Sequence, residues 1–223
     1  MEHDTSGPDT VRVARLLAPV ATLGPGRRLG LWVQGCGLAC TGCASRDTWD
    51  PAAGTIVPVQ DLAHRLAELV TTEQLTGITL TGGEPTDQAD ALASALVKAT
   101  DILGWSPDIL LFTGRTAEAA ERLAAPLLTL ADCVVAGPYQ PGHPAPIGLT
   151  RLVASGNQSV RYRDADTKQR YESWLRSAGP ELQVLADAQD LYIVGLPRAG
   201  DLDRFRTGLR RRGVLLEGAT WTA

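Results

Sequence analysis

No apolar run in this chain approaches the roughly 20 residues that a membrane-spanning helix needs, so a membrane partner is not expected. The opening stretch, MEHDTSGPDT, is acidic and polar and has no apolar h-region, which argues against a secretory leader and for a cytoplasmic address. Lysine is nearly missing. Only Lys98 and Lys168 occur among 21 basic residues, an arginine bias read as genomic composition. With a net charge of −4 and no evidently basic face, nucleic acid is not the expected partner either. Histidine is confined to His3, His64 and His143, scattered singly. No internal repeat or low-complexity stretch is found. What remains is a chain of 223 residues, 44% hydrophobic, enough for one domain with a sizeable core and at most a small appendage.

Cysteine is scarce too, yet crowded. Three of the four fall in GCGLACTGC (Gly35 to Cys43), spaced C-x3-C-x2-C, and Cys133 stands alone in the apolar DCVVAG. Where thiols stay reduced, such a group points to metal or redox chemistry. Structural zinc wants four closed ligands, and neither a second cysteine pair nor a histidine pair is near. A disulfide would strand the third thiol. A core of packed thiols does not suit a loop holding Gly35, Gly37 and Gly42. A 4Fe-4S cluster normally takes four cysteines. Three would leave one iron open to a substrate or cofactor, as an open ligand position does in catalytic zinc sites. Glycines then allow positive φ and close backbone approach, and freed N–H groups can point at the sulfurs.

Around this loop the periodicity predicts alternating strands and helices. Strands are expected at Val11–Val20, Leu29–Val33, Gly77–Leu80, Asp108–Gly114 and Asp132–Tyr139. Helices are expected over Val57–Val70, Gln88–Leu103 and Thr116–Leu130, the last open to interruption at Pro126. That order argues for a parallel α/β sheet with right-handed crossovers. Residues 1–10 read as a disordered tail, and Pro138–Pro146 as a loop. After Tyr162 an exposed helix is expected in RDADTKQRYESWLRS, followed by strands at Glu181–Leu185 and Leu191–Leu196, a helix at Asp201–Arg212 and a last strand, GVLLEG. This β-β-α-β tail reads either as a subdomain or as completion of the main sheet.

The cysteine spacing after a first strand resembles the signature of the radical SAM superfamily. So does TGGEP (Thr81 to Pro85) directly after a hydrophobic strand, similar to the Gly-Gly-Glu motif that holds the amino group of S-adenosylmethionine. Taken alone, TGGEP would read equally well as a strand-to-helix turn. Within the superfamily the chain resembles the anaerobic ribonucleotide reductase activating proteins, on GPGRRLGLWVQGCGLACTGCASRDTWD, GITLTGGEP, LLFTGR, VVAGPY and SGNQSV, in order from Gly24 to Val160. It departs from that branch in Ala44-Ser45, where Tyr-Asn is common, and in the residues added after the late Asn157-Gln158. Gly42 replaces the aromatic of many superfamily members.

The resemblance implies a partial (β/α)6 barrel over 11–162, with its site at the C-terminal strand ends, and a C-terminal extension over 163–223. It implies a 4Fe-4S cluster on Cys36, Cys40 and Cys43, and S-adenosylmethionine against Gly42, Ala44, Gly82, Gly83, Glu84 and Thr113. It implies reductive cleavage of that cofactor to methionine and a 5′-deoxyadenosyl radical, with an electron donor such as flavodoxin or ferredoxin. The hard chemistry belongs to the cofactors, so no acid or base residue is named. The substrate implied is a glycine of a partner glycyl radical enzyme. Two alternatives stand beside it: a radical SAM enzyme acting on a peptide or small metabolite, and a cluster-bearing binding or electron-transfer module that never cleaves S-adenosylmethionine. Elsewhere the readings are plain. Trp32 and Trp105 are expected in the core, Trp49 as a shield of the cysteine loop, His64 on the surface, Arg210 to Arg212 at a solvated helix end, and Cys133 as a small buried hydrophobe.

Overall fold

The run Arg28–Val33 is buried at every position and becomes strand β2, the strand that delivers the chain to the cysteines. In this computed structural model, which describes residues 9–187, 190–198 and 200–219, β2 pairs in parallel with β4 (Gly77–Gly82), β4 with β5 (Asp108–Thr113), and β5 with β6 (Cys133–Ala136). Burial on both faces is what such apolar, non-alternating strands need. The edges turn antiparallel. On one side lie β1 (Thr10–Val20) and then β3 (Thr55–Pro58). On the other lies β7 (Ser159–Tyr162). The order is β3-β1-β2-β4-β5-β6-β7 in one seven-stranded sheet. Four of these strands are mutually parallel, fewer than a (β/α)6 barrel would supply. The short β3 and β7 carry little apolar signal of their own and were not expected as strands.

One face of the sheet is covered by α1 (Val59–Thr72), α2 (Ala89–Leu103) and α3 (Ala117–Leu130). Leu62, Leu66, Leu92, Leu96 and Leu127 pack there over Leu29, Leu31, Ile78, Leu80 and Leu111. Alpha3 kinks at Ala124, two residues before Pro126, close to the interruption its proline predicts. Alpha2 stops on Gly104 in the left-handed conformation, and Trp105 just beyond it is 46% exposed rather than in the core. Trp32 is buried as expected.

The other face is closed by residues 145–153 and by the chain after Tyr162. Helix α4 (Ala165–Arg176), capped by Asp164, is not simply an exposed helix: Tyr171 is wholly buried among Leu110, Cys133, Val135, Leu152 and Val153. Its hydroxyl donates to Asp108 at 2.7 Å. Asp108 also pairs at 2.7 Å with Arg28, a fully buried guanidinium that donates as well to Thr79, Pro25 and Ile78. Beyond α4, strands β8 (Leu182–Ala186) and β9 (Leu191–Gly195) form a separate antiparallel hairpin, followed by α5 (Asp201–Arg210). The hairpin docks on the β1–β2 turn. Val194 packs with Val20, Leu23 and Trp32, and Gln183 bonds Ala21 N and Pro19 O. The last expected strand, GVLLEG, is irregular, so the described tail is α-β-β-α. Val214 and Leu215 stay exposed there. The expected disordered tail falls outside the described residues except for residues 9 and 10, and Thr10 opens β1. Among the described residues no helix is long and apolar enough to cross a membrane.

Candidate functional site

The register Val33↔Gly82 between parallel β2 and β4 brings the ends of both strands to the same height. The two segments that follow are the cysteine loop and Gly83-Glu84, and backbone bonds fasten them together. Gly83 N donates to Val33 O and Glu84 N to Gly35 O, each at 2.8 Å. The glycines are what allow this approach. A β-carbon on Gly83 would lie 2.2 Å from the Gly35 carbonyl oxygen, and one on Gly82, which has φ +101°, would lie 2.7 Å from Val33 backbone. Gly83 thus packs on the cysteine loop itself.

The loop is braced from outside. Gln34 Nε2 donates to the carbonyls of Asp47 and Asp50, and Gln88 Nε2 donates to those of Arg12 and Gln34. Gly35 N and Cys36 N reach the carbonyls of Thr48 and Trp49, closing the loop into a ring. Gly35 and Gly42 have positive φ, as expected of a tight loop, and so does Ala39 (φ +45°), an uncommon state for a residue with a β-carbon. Backbone N–H groups do point at sulfur: Ser45 N lies 3.4 Å from Cys43 Sγ, and the backbones of Leu38 and Ala39 serve Cys36. Burial, with Glu84 and Cys43 nearby, still pushes the Cys36 thiol up.

Cys36, Cys40 and Cys43 are half-buried and free, and all three line one open cavity of about 160 Å³. Its other walls include Gly82, Gly83, Glu84 and Thr113, four of the residues named from sequence. Trp49 lines it too. Gly42 and Ala44 are exposed on the loop outside this lining, Gly42 against the ring of Tyr139. Cys133 is buried inside β6, its thiol pushed well up by desolvation, and takes no part. His64 is exposed on α1. A larger cavity of about 270 Å³ also reaches Cys36, lined by Arg12, Gln34 and Gln88 among others, but lacks the other two thiols.

Glu84 is buried and richly bonded. Oε1 accepts from Thr86 N, Thr86 Oγ1 and Thr113 Oγ1, and Oε2 accepts from Gly114 N. Thr86, Arg115, Gln34 and Gln88 were not singled out from sequence. They are ordinary polar residues whose importance lies in partners distant along the chain. Among the described residues no three His, Cys, Asp or Glu side chains converge on a single-ion site. Three soft thiols spread along one cavity, with no histidine among them, suit the separate corners of an iron–sulfur cuboid better than one ion. The donor set therefore fits a 4Fe-4S cluster, with the Glu84 carboxylate on the wall of the same cavity.

Residues 22–161 match the family described as a 4Fe-4S single cluster domain. The anaerobic ribonucleoside-triphosphate reductase-activating protein of Enterobacteria phage T4 is 34% identical over 125 residues, which are 54% of this chain and 76% of that protein. The protein of the same name from Pasteurella multocida is 31% identical over 141 residues, 61% of this chain and 88% of that one. The pyruvate formate-lyase 1-activating enzyme of Escherichia coli K12 is 40% identical over 72 residues, 30% of this chain but 28% of that enzyme.

Proposed function

The chain belongs to the 4Fe-4S single cluster domain family, within the radical SAM superfamily, whose cofactors are a 4Fe-4S cluster and S-adenosylmethionine, and we propose that it activates a glycyl radical enzyme. One observation carries the reading: three cysteine thiols and the Gly82–Gly83–Glu84 turn line the same cavity. Cys36, Cys40 and Cys43 would hold the cluster. When bound, the cluster supplies the electron for reductive cleavage of S-adenosylmethionine.

The rest falls to the chain. Gly82 and Gly83 line the cavity and let the turn close on the cysteine loop, and Glu84 offers negative charge to the amino group of the ligand. Thr113 fixes Glu84 by its hydroxyl. Gln34 and Gln88 keep the loop closed while the cluster changes charge, through bonds to carbonyls that do not titrate. Leu38, Trp49 and Phe112 supply the apolar part of the wall and limit water. Three free thiols accord with a reducing, cytoplasmic setting and an external electron donor such as flavodoxin or ferredoxin.

The partner is proposed from the relatives' names, two of which are activating proteins of a ribonucleotide reductase and one of pyruvate formate-lyase. A second target class, a peptide or small metabolite, is favoured by the residues after 161. They lie outside the family match, yet are linked through Arg15 to the segment just after the cysteines: Arg15 stacks on Tyr192 of β9 and on Trp32, and pairs with Asp47. The test is anaerobic reconstitution and reduction with S-adenosylmethionine present. Formation of 5′-deoxyadenosine is expected. A reduced, cluster-loaded protein that forms none would be a binding or electron-transfer module. A glycyl radical signal on a co-incubated partner enzyme separates the two target classes.

A further inference from the structure

The two oxygens of Glu84 are treated differently. Oε1 accepts three hydrogen bonds, from Thr86 N at 3.0 Å, Thr86 Oγ1 at 2.6 Å and Thr113 Oγ1 at 2.7 Å. Oε2 accepts, among the described residues, only from Gly114 N at 2.9 Å. A threonine hydroxyl has one proton and can turn it away from a carboxylate toward another acceptor. Arg115 removes that freedom at both threonines. Its Nε–H donates to Thr86 Oγ1 at 3.0 Å, and its backbone N–H donates to Thr113 Oγ1 at 3.1 Å. Neither donor can accept. Each hydroxyl therefore gives a lone pair to Arg115 and its proton to Glu84. The guanidinium is itself steadied by Asp87, and Arg115 does not line the cavity.

We propose that Arg115 is a positioning residue for the cofactor subsite: it commits both hydroxyls to Oε1 and leaves Oε2 as the acceptor offered to an amine N–H. The proposal rests on the reading of Glu84 as the partner of the S-adenosylmethionine amino group. Its sign is distinctive. A guanidinium acting through charge alone would repel the cationic sulfonium ligand, and its removal would tighten binding. A guanidinium acting through Thr86 weakens binding when removed.

The experiment is calorimetric titration of the anaerobic, cluster-loaded, unreduced protein. Two ligands are compared: S-adenosylmethionine, and the analogue whose amino group is replaced by hydrogen. Wild type should prefer the amine. Arg115→Met should weaken S-adenosylmethionine binding about tenfold and leave the analogue unchanged. On a Thr86→Val background, Arg115→Met should have no further effect, because its side chain acts through that hydroxyl. The proposal is overturned if Arg115→Met weakens both ligands equally, if it leaves S-adenosylmethionine binding unchanged or tighter, or if the two substitutions are additive. A wild type with no preference for the amine would instead overturn the reading of Glu84, and the proposal with it.

Discussion

At the scale of single residues, the most committed side chain is Arg28. It is wholly buried, pairs with Asp108 and satisfies carbonyls from three segments. Arg28→Met removes the charge and leaves Asp108 without its main partner, which should cost about 3–5 kcal/mol in denaturant unfolding. Burial by itself would raise the Asp108 carboxyl. The charge of Arg28, with hydrogen bonds from Tyr171, Arg170 and Arg28, outweighs it and holds the group below the usual carboxylate range. A depressed folded value means stability that is present above the unfolded value of about 3.9 and lost as pH falls through the lower folded one. Unfolding midpoints should therefore drop below about pH 4, and Asp108→Asn should flatten that slope. At the site, Cys133→Ala should load as much iron as wild type, whereas Cys36→Ala, Cys40→Ala or Cys43→Ala should not. Iron counting after anaerobic reconstitution decides. Gly83→Ala should lose iron as well as S-adenosylmethionine binding, because the added carbon meets the Gly35 carbonyl at 2.2 Å and must displace the cysteine loop. A variant that kept full iron and lost only the ligand would show that the loop yields freely there.

At the scale of elements, the chain after Tyr162 divides in two. Helix α4 belongs to the core, since Tyr171 fills the second face of the sheet and bonds Asp108. The hairpin β8–β9 and α5 sit further out, and α5 buries no residue. A cut after Tyr162 should therefore give insoluble protein, by exposing Leu110, Val135 and Leu152. A cut after Ser177 keeps α4 and the bonds from Arg151 to the Trp174 and Ser177 carbonyls. That shorter deletion should remain folded, load iron and form 5′-deoxyadenosine when reduced, while losing transfer to its natural target. Loss of iron on the second cut would show instead that the hairpin supports the cysteine loop through Tyr192, Arg15 and Asp47.

At the scale of the whole molecule, the sheet separates two tasks. One face, under α1 to α3, is an apolar core with the greater share of the buried leucines. The other carries the buried Arg28–Asp108–Tyr171 network, capped by α4. The cysteine-lined cavity opens where β2, β4, β5 and β6 end, built from the segments that follow each: the cysteine loop, Gly83–Glu84, Gly114 and Gly137–Tyr139. Rigid strands thus hold four loops at one level, the usual reason that α/β sites gather at carboxyl strand ends.

The sequence by itself determined the alternation of strands and helices, because apolar periodicity and Gly-Pro punctuation are local. It determined the ligand chemistry too, since three thiols at C-x3-C-x2-C and a Gly-Gly-Glu turn are local patterns. Only the tertiary structure decided what those patterns meet. The packing of Gly83 on Gly35, too close to admit a β-carbon, follows from parallel pairing of strands almost fifty residues apart in the chain. The donors around Glu84 come from Thr86, Thr113 and Gly114, on two different strand ends. Short edge strands such as β7, the burial of Tyr171 on a helix that reads as exposed, and the loss of the final strand were likewise decided by partners. A four-residue strand or one buried tyrosine has little free energy of its own, and its conformation is set by the surface it finds.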